Sequence, residues 1–244
     1  MAIGIEELVS FYKSPLGRIC RRLIRELVKE LAAEHQGKRI VGLGFTPPYL
    51  MQFIDRAERV MAFMPARQGI VRWPEDEPCH AVMVDPLELP LTDAAVDLVI
   101  AVHGFEHVAD AEELMRELWR VTAPGARLVI VVPRRRGLWA QRDNTPFGHG
   151  HPFSKVQLSR LLRDHSFTPE VWRDALYLPP TNLPLVINSA RAFEVGGRFF
   201  GSALAGIMAV RARRENYPAV ARRARASRLV ALPEMGVPAL PRSG

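Results

Sequence analysis

Residues that can accept a proton are concentrated in two short segments of the sequence. His103, Glu106 and His107 lie in the segment HGFEH, and His149 and His151 lie in the segment HGH. An imidazole titrates near neutral pH and a carboxylate accepts protons, so either group is suited to general base catalysis. A hydrogen-bonded loop histidine or a helix-capping histidine is the alternative at each position. All five residues are therefore catalytic candidates, and the sequence does not choose among them.

The same histidines raise the question of a metal site. The HGH pair together with His103 or His107 would supply two or three imidazole ligands. Zinc sites hold three or four ligands at defined spacings with supporting hydrogen bonds, and no cysteine lies near these histidines. We therefore predict no metal ion.

Residues 39–50, RIVGLGFTPPYL, form the segment most suggestive of a ligand site. An apolar strand is followed by a turn that Gly42 and Gly44 allow to be tight, and then by a helix predicted to begin near Tyr49. Thr46 is predicted to be the N-cap, and the two prolines after it favour helical φ values. In open α/β sheets, ligands bind outside the carboxyl ends of the strands, so this turn predicts a nucleotide-like cofactor. The alternative is a well-built turn of an α/β protein with no ligand.

Composition places the chain among ordinary globular proteins. It has 244 residues, of which 48% are apolar and 24% are charged, and we expect one domain with additions. Cys20 and Cys79 show no zinc-binding spacing and no secretory leader pattern precedes them, which favours a reducing cytoplasm. No uninterrupted run of 18 apolar residues is present, so we expect no membrane span.

The positive charge is concentrated at the end of the sequence. The net charge is +7, and residues 207–244 hold eight arginines and two glutamates, a balance of +6. Such a tail is typical of a solvated or anion-tethering appendage, and we expect no specific nucleic-acid partner. Non-specific electrostatic contact with nucleic acid is the alternative. Residues 215–244, rich in Pro and Arg, are predicted to be disordered.

Apolar periodicity predicts strands alternating with helices along the chain. Two N-terminal helices are predicted to cover an edge of the sheet, and a helical insert at residues 179–201 precedes the last strand. The insert is interpreted as packing on the body, with a lid over an apolar substrate or a dimer surface as alternatives. The predicted helices cover residues 5–12, 16–33 and 155–164, the last after the capping box of Ser154 and Gln157. A further helix is predicted after the cap Asp110, with Leu114, Leu118 and Val121 on its apolar face, and residues 123–125 stop it. The predicted strands cover residues 40–43, 60–63, 81–84, 96–102, 127–132, 171–178 and 204–212.

This order of elements resembles the fold of the class I S-adenosylmethionine-dependent methyltransferases. The resemblance covers roughly residues 36–214 and implies an α/β fold with a doubly wound, seven-stranded, mainly parallel sheet. The segment ELWRVTAPGARLVIVVP is similar to the type 11 branch, and the loop RRGLWAQRDNTPFGHGHPFS resembles that of a bacterial set of methyltransferase-like proteins. The implied organisation is a helical cover at residues 1–35, the methyltransferase-like domain at residues 36–214 and the tail at residues 215–244.

The first two cofactor motifs depart from the family pattern. The family pairs an acid with a Gly-x-Gly-x-Gly turn. Here Gly42 stands at the acid's position, Gly44 matches the first glycine, and Thr46 and Pro48 replace the other two. The acid that binds the ribose hydroxyls in the family falls on Met64, whose thioether cannot accept two strong hydrogen bonds. Its loss would weaken cofactor binding by roughly ten- to a hundredfold.

Other positions match the family. Asp85 stands where the family places a carboxylate that accepts from the adenine amino group, and Leu87 stands where a backbone N–H contacts the ring; a turn-forming Asp-Pro is the alternative for Asp85. Asp97 matches the FDLV signature, and residues 103–107 resemble the LEH motif. The resemblance thus implies a cofactor site made by Gly42, Gly44, Phe45, Met64, Asp85, Pro86, Leu87 and His103.

The resemblance implies a function as well as a fold. It implies an S-adenosylmethionine-dependent methyltransferase that acts on a small or lipid-like molecule, by holding donor and acceptor in near-attack geometry and removing a proton where the acceptor requires it. The alternative is a catalytically inactive binding or regulatory protein built on the same fold. The oligomeric state stays open.

Overall fold

A computed structural model describes residues 3–33, 38–76, 78–199 and 201–216 of the chain. The predicted disorder of the basic tail falls almost entirely on residues 217–244, which lie outside the described residues. The helices are α1 (Ile5–Lys13), α2 (Pro15–Leu31), α3 (Pro47–Leu50), α4 (Ala111–Val121), α5 (Lys155–Asp164), α6 (Pro184–Asn188) and α7 (Ala190–Phe199). The strands are β1 (Arg39–Gly44), β2 (Arg59–Pro65), β3 (Ala81–Val84), β4 (Val96–Val102), β5 (Thr122–Pro133), β6 (Phe167–Ala175) and β7 (Ile207–Arg214).

The strands form one seven-stranded sheet in the order β3-β2-β1-β4-β5-β7-β6. Strands β1 to β5 run parallel to one another, and β7 runs antiparallel to both β5 and β6. Ile40 in the central strand β1 lies opposite Val60 of β2 and Leu98 of β4. Continuous apolar runs are typical of such strands because both faces of a parallel sheet are buried. The predicted doubly wound, mainly parallel sheet is confirmed.

Helices cover both faces of the sheet. On one face, Ile24 and Val28 of α2 share a buried apolar cluster with Ile40 of β1. On the other face, Leu114 and Leu118 of α4 belong to a second buried cluster, together with residues of β4, β5 and α5. The prediction that the N-terminal helices cover an edge is wrong, because α2 buries its apolar stripe on a face and α1 reaches the carboxyl ends of the strands.

The junction between β1 and α3 differs from its prediction. The helix begins at Pro47 and is only four residues long. Thr46, the predicted N-cap, has φ −104° and ψ −14°, and its side chain makes no cap hydrogen bond. Thr46 occupies the predicted N-cap position, but its backbone is not extended, so its side chain does not make the predicted cap hydrogen bond. The predicted caps of α4 and α5, Asp110 and Ser154, are confirmed.

Pairing between strands moves several predicted boundaries. β5 begins at Thr122, directly after α4, because Thr122 pairs with Val96 of β4. β6 spans Phe167–Ala175, earlier than predicted, because its two ends pair with Arg214 and Ile207 of β7. The predicted strands exist, and their limits follow from partners distant in sequence.

The insert packs on the body through one side only. Val186, Ile187 and Ala190 contact the buried cluster of the α2 face, and the backbone N–H of Tyr177 donates to the buried Glu194 carboxylate at 2.7 Å. The other side exposes large apolar side chains, since Leu185 is 79% and Phe199 is 86% exposed. Among the described residues, no helix combines the length and apolarity needed to cross a bilayer.

Candidate functional site

The end of β1 packs very closely against the end of the parallel strand β4. Gly44 has a φ of +90°, and a Cβ at this position would lie 2.4 Å from the carbonyl oxygen of Val102 and 2.9 Å from the backbone nitrogen of Gly104. Only glycine combines this conformation with such a close approach of two backbones. The one glycine that matches the family turn is therefore also required by the packing of the two strands.

Gly42, at the position of the family's acid, faces α3 at close range. A Cβ there would lie 2.2 Å from Thr46 Oγ1 and 2.6 Å from Leu50 Cδ1. Thr46 and Leu50 are both fully buried. Because α3 packs directly on this point of β1, an aspartate or glutamate at residue 42 would displace the helix.

Met64, at the position of the ribose-binding acid, lies beneath the loop that follows β2. The side chain is 1% exposed, and its sulfur accepts a hydrogen bond from the Val71 backbone N–H at 3.4 Å. From the same loop, Gln68 donates through Nε2 to the His103 carbonyl at 2.6 Å. This loop therefore ties the end of β2 to the end of β4.

A cavity of about 190 Å³ lies at the carboxyl ends of β2, β3 and β4. Asp85, Pro86 and Leu87 line one side, and Gly104 and His107 line the other. Asp85 Oδ1 accepts a hydrogen bond from the Leu87 backbone N–H at 3.0 Å. Asp85 thus forms an Asx turn, and the N–H predicted to contact an adenine ring already has a partner.

A layer of side chains fills the space in front of β1. The Tyr12 ring of α1 stacks on Phe45 with centroids 5.3 Å apart, and its hydroxyl lies 2.7 Å from His103 Nε2. The Phe147 ring lies 5.0 Å from the imidazole of His103. All four side chains are buried. Burial raises the pKa of Tyr12 well above its ordinary value, so the phenol is neutral at pH 7. We call these four residues the closing layer.

His103 of this layer also lies close to Glu106 and His107. His103 adopts a φ of +53°, and its Nδ1 lies 3.1 Å from Glu106 Oε1. Both side chains are 1% exposed. When Glu106 is ionised, His103 donates from Nδ1 and accepts from the Tyr12 hydroxyl at Nε2. Burial is the main cause that lowers the pKa of His107, so this imidazole is neutral at pH 7.

The imidazoles of the HGH segment do not join this cluster. His149 Nε2 donates to the Asp143 carbonyl at 2.8 Å. His151 has an exposed side chain, and its backbone N–H donates to the Glu106 carbonyl at 2.7 Å. The segment therefore supports the Glu106 backbone, while the side chains brought together are those of HGFEH. No sequence pattern predicted that Tyr12 and Gln68 contact His103, because both residues lie far from His103 in the sequence.

A wide groove lies next to the closing layer. It has a volume of about 960 Å³ and runs between α1, residues 142–149 and the start of the insert. Phe11, His149 and Leu183 are among the residues that line it. Phe11 makes an edge contact with Phe147 at 6.1 Å between ring centroids. The groove thus adjoins the closing layer through Phe11 and shares no lining residue with the cavity beside Asp85.

Comparisons with known proteins agree with this architecture. Residues 27–130 match a family model described as a methyltransferase domain. A demethylmenaquinone methyltransferase from Thermus thermophilus is 37% identical over 147 residues, which are 59% of this chain and 60% of the relative. The chain therefore spans less than two thirds of that relative.

Solved structures share the fold at low sequence identity. The geranyl diphosphate C-methyltransferase of Streptomyces coelicolor A3(2), solved with S-adenosyl-L-homocysteine, has a TM-score of 0.55 and 17% identity over 79% of this chain and 76% of its own. A [4+2]-cyclase has a TM-score of 0.53 and 22% identity over 80% of each chain. The matched domain, the relatives and the strand order agree. Residues 27–130 are therefore similar to the methyltransferase domain of this family, and the strand order agrees with the fold of the solved methyltransferases.

Proposed function

We propose that this protein is an S-adenosylmethionine-dependent methyltransferase that acts on a small or lipid-like molecule. The observation that carries the proposal is the cavity at the carboxyl ends of β2, β3 and β4, the place where doubly wound sheets bind nucleotides. The Asp85 carboxylate would accept from the adenine amino group, with Pro86 and Leu87 against the ring. Both cysteines are free thiols, which fits the predicted cytoplasmic location.

The cavity fits only part of the cofactor. Pockets for ligands of this size enclose about 300–1,000 Å³, and the cavity holds about 190 Å³. The region of a methionine moiety, next to Gly44, is filled by Tyr12, Phe45 and His103. Two buried polar atoms in this region, Thr46 Oγ1 and Glu106 Oε2, have no hydrogen-bond partner among the described residues. Complete binding therefore requires the closing layer to shift, and these atoms would then be available to the ligand.

When bound, S-adenosylmethionine supplies an electrophilic methyl group on its sulfonium. The chain's own contribution would be to orient the acceptor and to hold its proton. His103, oriented through Nδ1 by Glu106, would present Nε2 as the proton acceptor once the Tyr12 hydroxyl has moved. The two groups form a histidine–carboxylate pair of the kind that stabilises an imidazolium.

The groove beside the closing layer is the proposed place of the acceptor. Phe11 and Leu183 line it together with polar and charged residues such as Glu7 and Arg142, and the adjoining insert exposes Leu185 and Phe199 outside the groove. Exposed apolar patches of this kind mark binding surfaces for ligands or partners. The Thermus relative and the Streptomyces neighbour are named for lipid-like substrates, a quinone and a prenyl diphosphate. We therefore propose a lipid-like acceptor in this groove.

Calorimetric titration of the full chain with S-adenosylmethionine and S-adenosylhomocysteine tests the proposal. We expect saturable binding in the micromolar range that Asp85→Ala weakens by about tenfold or more, the value of one charged hydrogen bond. Asp164→Asn, an exposed acid at the end of α5, is the matched control and should bind as the unmodified chain does. Equal binding by Asp85→Ala would contradict the assignment of the cavity.

A catalytically inactive binding protein is the second candidate. It is favoured by the closing layer, which fills the methionine region with buried, mutually bonded side chains. The [4+2]-cyclase also shows that the fold is found in proteins named for other reactions. Absence of heat with either ligand up to millimolar concentration would select this candidate over the methyltransferase.

A further inference from the structure

The side chains of HGFEH have the composition of a metal site. His103, Glu106 and His107 lie at positions i, i+3 and i+4 of the turn that follows β4, and this spacing places them on one side of the turn. One ligand atom from each residue lies within 4.8 Å of the others. Two imidazoles and one carboxylate form the ligand set of several catalytic zinc sites and of non-haem iron sites.

Several polar atoms of the cluster have no hydrogen-bond partner, and a bound cation would supply the missing interaction. Glu106 is 1% exposed, and among the described residues His103 is its only ion-pair partner within 4.0 Å. Glu106 Oε2 and both ring nitrogens of His107 have no hydrogen-bond partner in the same part of the chain. A carboxylate oxygen and ring nitrogens that are buried without hydrogen-bond partners are destabilising, and coordination of one ion would satisfy Glu106 Oε2 or one nitrogen of the partly buried His107.

The distances are close to those that an ion requires. Two ligands at 2.0–2.2 Å from a tetrahedral ion are about 3.4 Å apart. His103 Nδ1 and Glu106 Oε1 are 3.1 Å apart, and His107 must move closer by at most about 1.4 Å to reach the same spacing. Small side-chain rotations are therefore sufficient.

A supporting hydrogen bond and an open position complete the arrangement. With Nδ1 of His103 on the ion, Nε2–H would donate to the Tyr12 hydroxyl, which already lies at 2.7 Å. Histidine ligands are usually oriented by such a second hydrogen bond. His107 and Gly104 also line the cavity of about 190 Å³, so a fourth position can face that cavity.

We propose, in place of the metal-free site expected from the sequence, that His103, Glu106 and His107 bind one divalent transition metal ion of the zinc class, with its open position toward the cavity beside Asp85. The ion would hold a water molecule or an oxygen atom of a ligand there. Metal binding at Nδ1 leaves Nε2 of His103 protonated, so in the metal-bound protein His103 cannot serve as the proton acceptor proposed above. The metal site is tested without S-adenosylmethionine, so its failure and the failure of the proposed methyl transfer are distinguishable.

The test is equilibrium dialysis of the untagged full chain, stripped with a chelator, against Zn²⁺ and against Co²⁺ as the spectroscopic probe. We expect one equivalent of bound metal and visible absorption from Co²⁺ in a low-symmetry site. Glu106→Gln and His107→Gln should each weaken binding by at least about a hundredfold, and Tyr12→Phe by about tenfold.

Two controls separate this site from other histidines. His165→Gln, in a remote helix cap, and the double variant His149→Gln/His151→Gln should both keep one equivalent of metal. Circular dichroism of each variant establishes that it is folded, and Glu106→Gln preserves side-chain size. Absence of binding by the unmodified chain at millimolar Zn²⁺, or undiminished binding by Glu106→Gln and His107→Gln, would overturn the proposal.

Discussion

Replacement of Gly44 by alanine tests how the tight turn holds the site together. At a φ of +90° a Cβ is strained, and conformations with positive φ cost about 1–2 kcal/mol for residues other than glycine. The Cβ would also lie 2.4 Å from the Val102 carbonyl oxygen. Since that contact is with backbone and not with a flexible side chain, β1 and β4 must separate. We expect a total loss of about 3–5 kcal/mol in the free energy of unfolding.

Alanine substitutions at two other glycines serve as controls for the contributions to this loss. One position has backbone strain without a steric contact, and the other has neither. Gly125 has a φ of +75°, and a Cβ added there would meet nothing within 4 Å, so Gly125→Ala should show the backbone strain alone, about 1–2 kcal/mol. Gly196 lies in α7 with open space around it, so Gly196→Ala should stabilise the protein by about 0.5–1 kcal/mol.

Urea denaturation and calorimetry of the three variants provide the measurement. For a chain of this length, about 3 kcal/mol corresponds to a fall of roughly 6–12 °C in Tm. The order expected for stability is Gly196→Ala, then Gly125→Ala, then Gly44→Ala. If Gly44→Ala lost no more than Gly125→Ala, the close approach of β1 and β4 would not be a determinant of stability, and the argument for a packed turn would fail.

Three further changes have expected outcomes. Tyr12→Phe leaves buried His103 Nε2 without its partner and should lower the free energy of unfolding by about 1–3 kcal/mol in urea titrations; an unchanged midpoint would contradict the hydrogen bond. The hydrogen bonds from Arg39 lower the pKa of Asp97, so its contribution to stability is complete above the ordinary carboxyl pKa of about 4 and is lost as the pH falls through the lowered value. Asp97→Asn should therefore lower the free energy of unfolding by about 1 kcal/mol at pH 7 and make it depend less on pH below pH 4. An unaltered acid-unfolding transition would contradict a stabilising Arg39–Asp97 pair. Ser154→Ala removes the capping box of α5 and should lower the free energy of unfolding by about 0.5–2 kcal/mol, as measured by thermal unfolding. A loss of less than about 0.3 kcal/mol would contradict this prediction.

The sequence anticipated the fold because its local signals and its long-range packing agree. The apolar run of β4, the caps of α4 and α5 and the amphipathic α2 each specify an element by its own residues. The limits of β5, β6 and β7 were less accurate, since a strand continues as far as its partner pairs with it. Thr46 shows a related effect at a helix start, where a backbone with φ −104° and ψ −14° leaves its side chain without the predicted cap hydrogen bond.

The candidate site was anticipated in part. HGFEH was identified from residue types, and three of its side chains do converge. HGH was identified on the same grounds, yet its imidazoles point to other partners, because residue type carries no information on orientation. Tyr12 and Gln68 showed no local signal, since their contacts with His103 join positions 91 and 35 residues apart.

The sequence by itself determined which segments form strands and helices, their alternation and the residue types available at the strand ends, because these follow from local periodicity and capping. Only the tertiary structure decided that α1 crosses the carboxyl ends, that Tyr12 and Phe147 enclose His103, and that His107 rather than His149 accompanies Glu106. Those outcomes depend on which surfaces bury each other, and burial is a property of the packed chain as a whole.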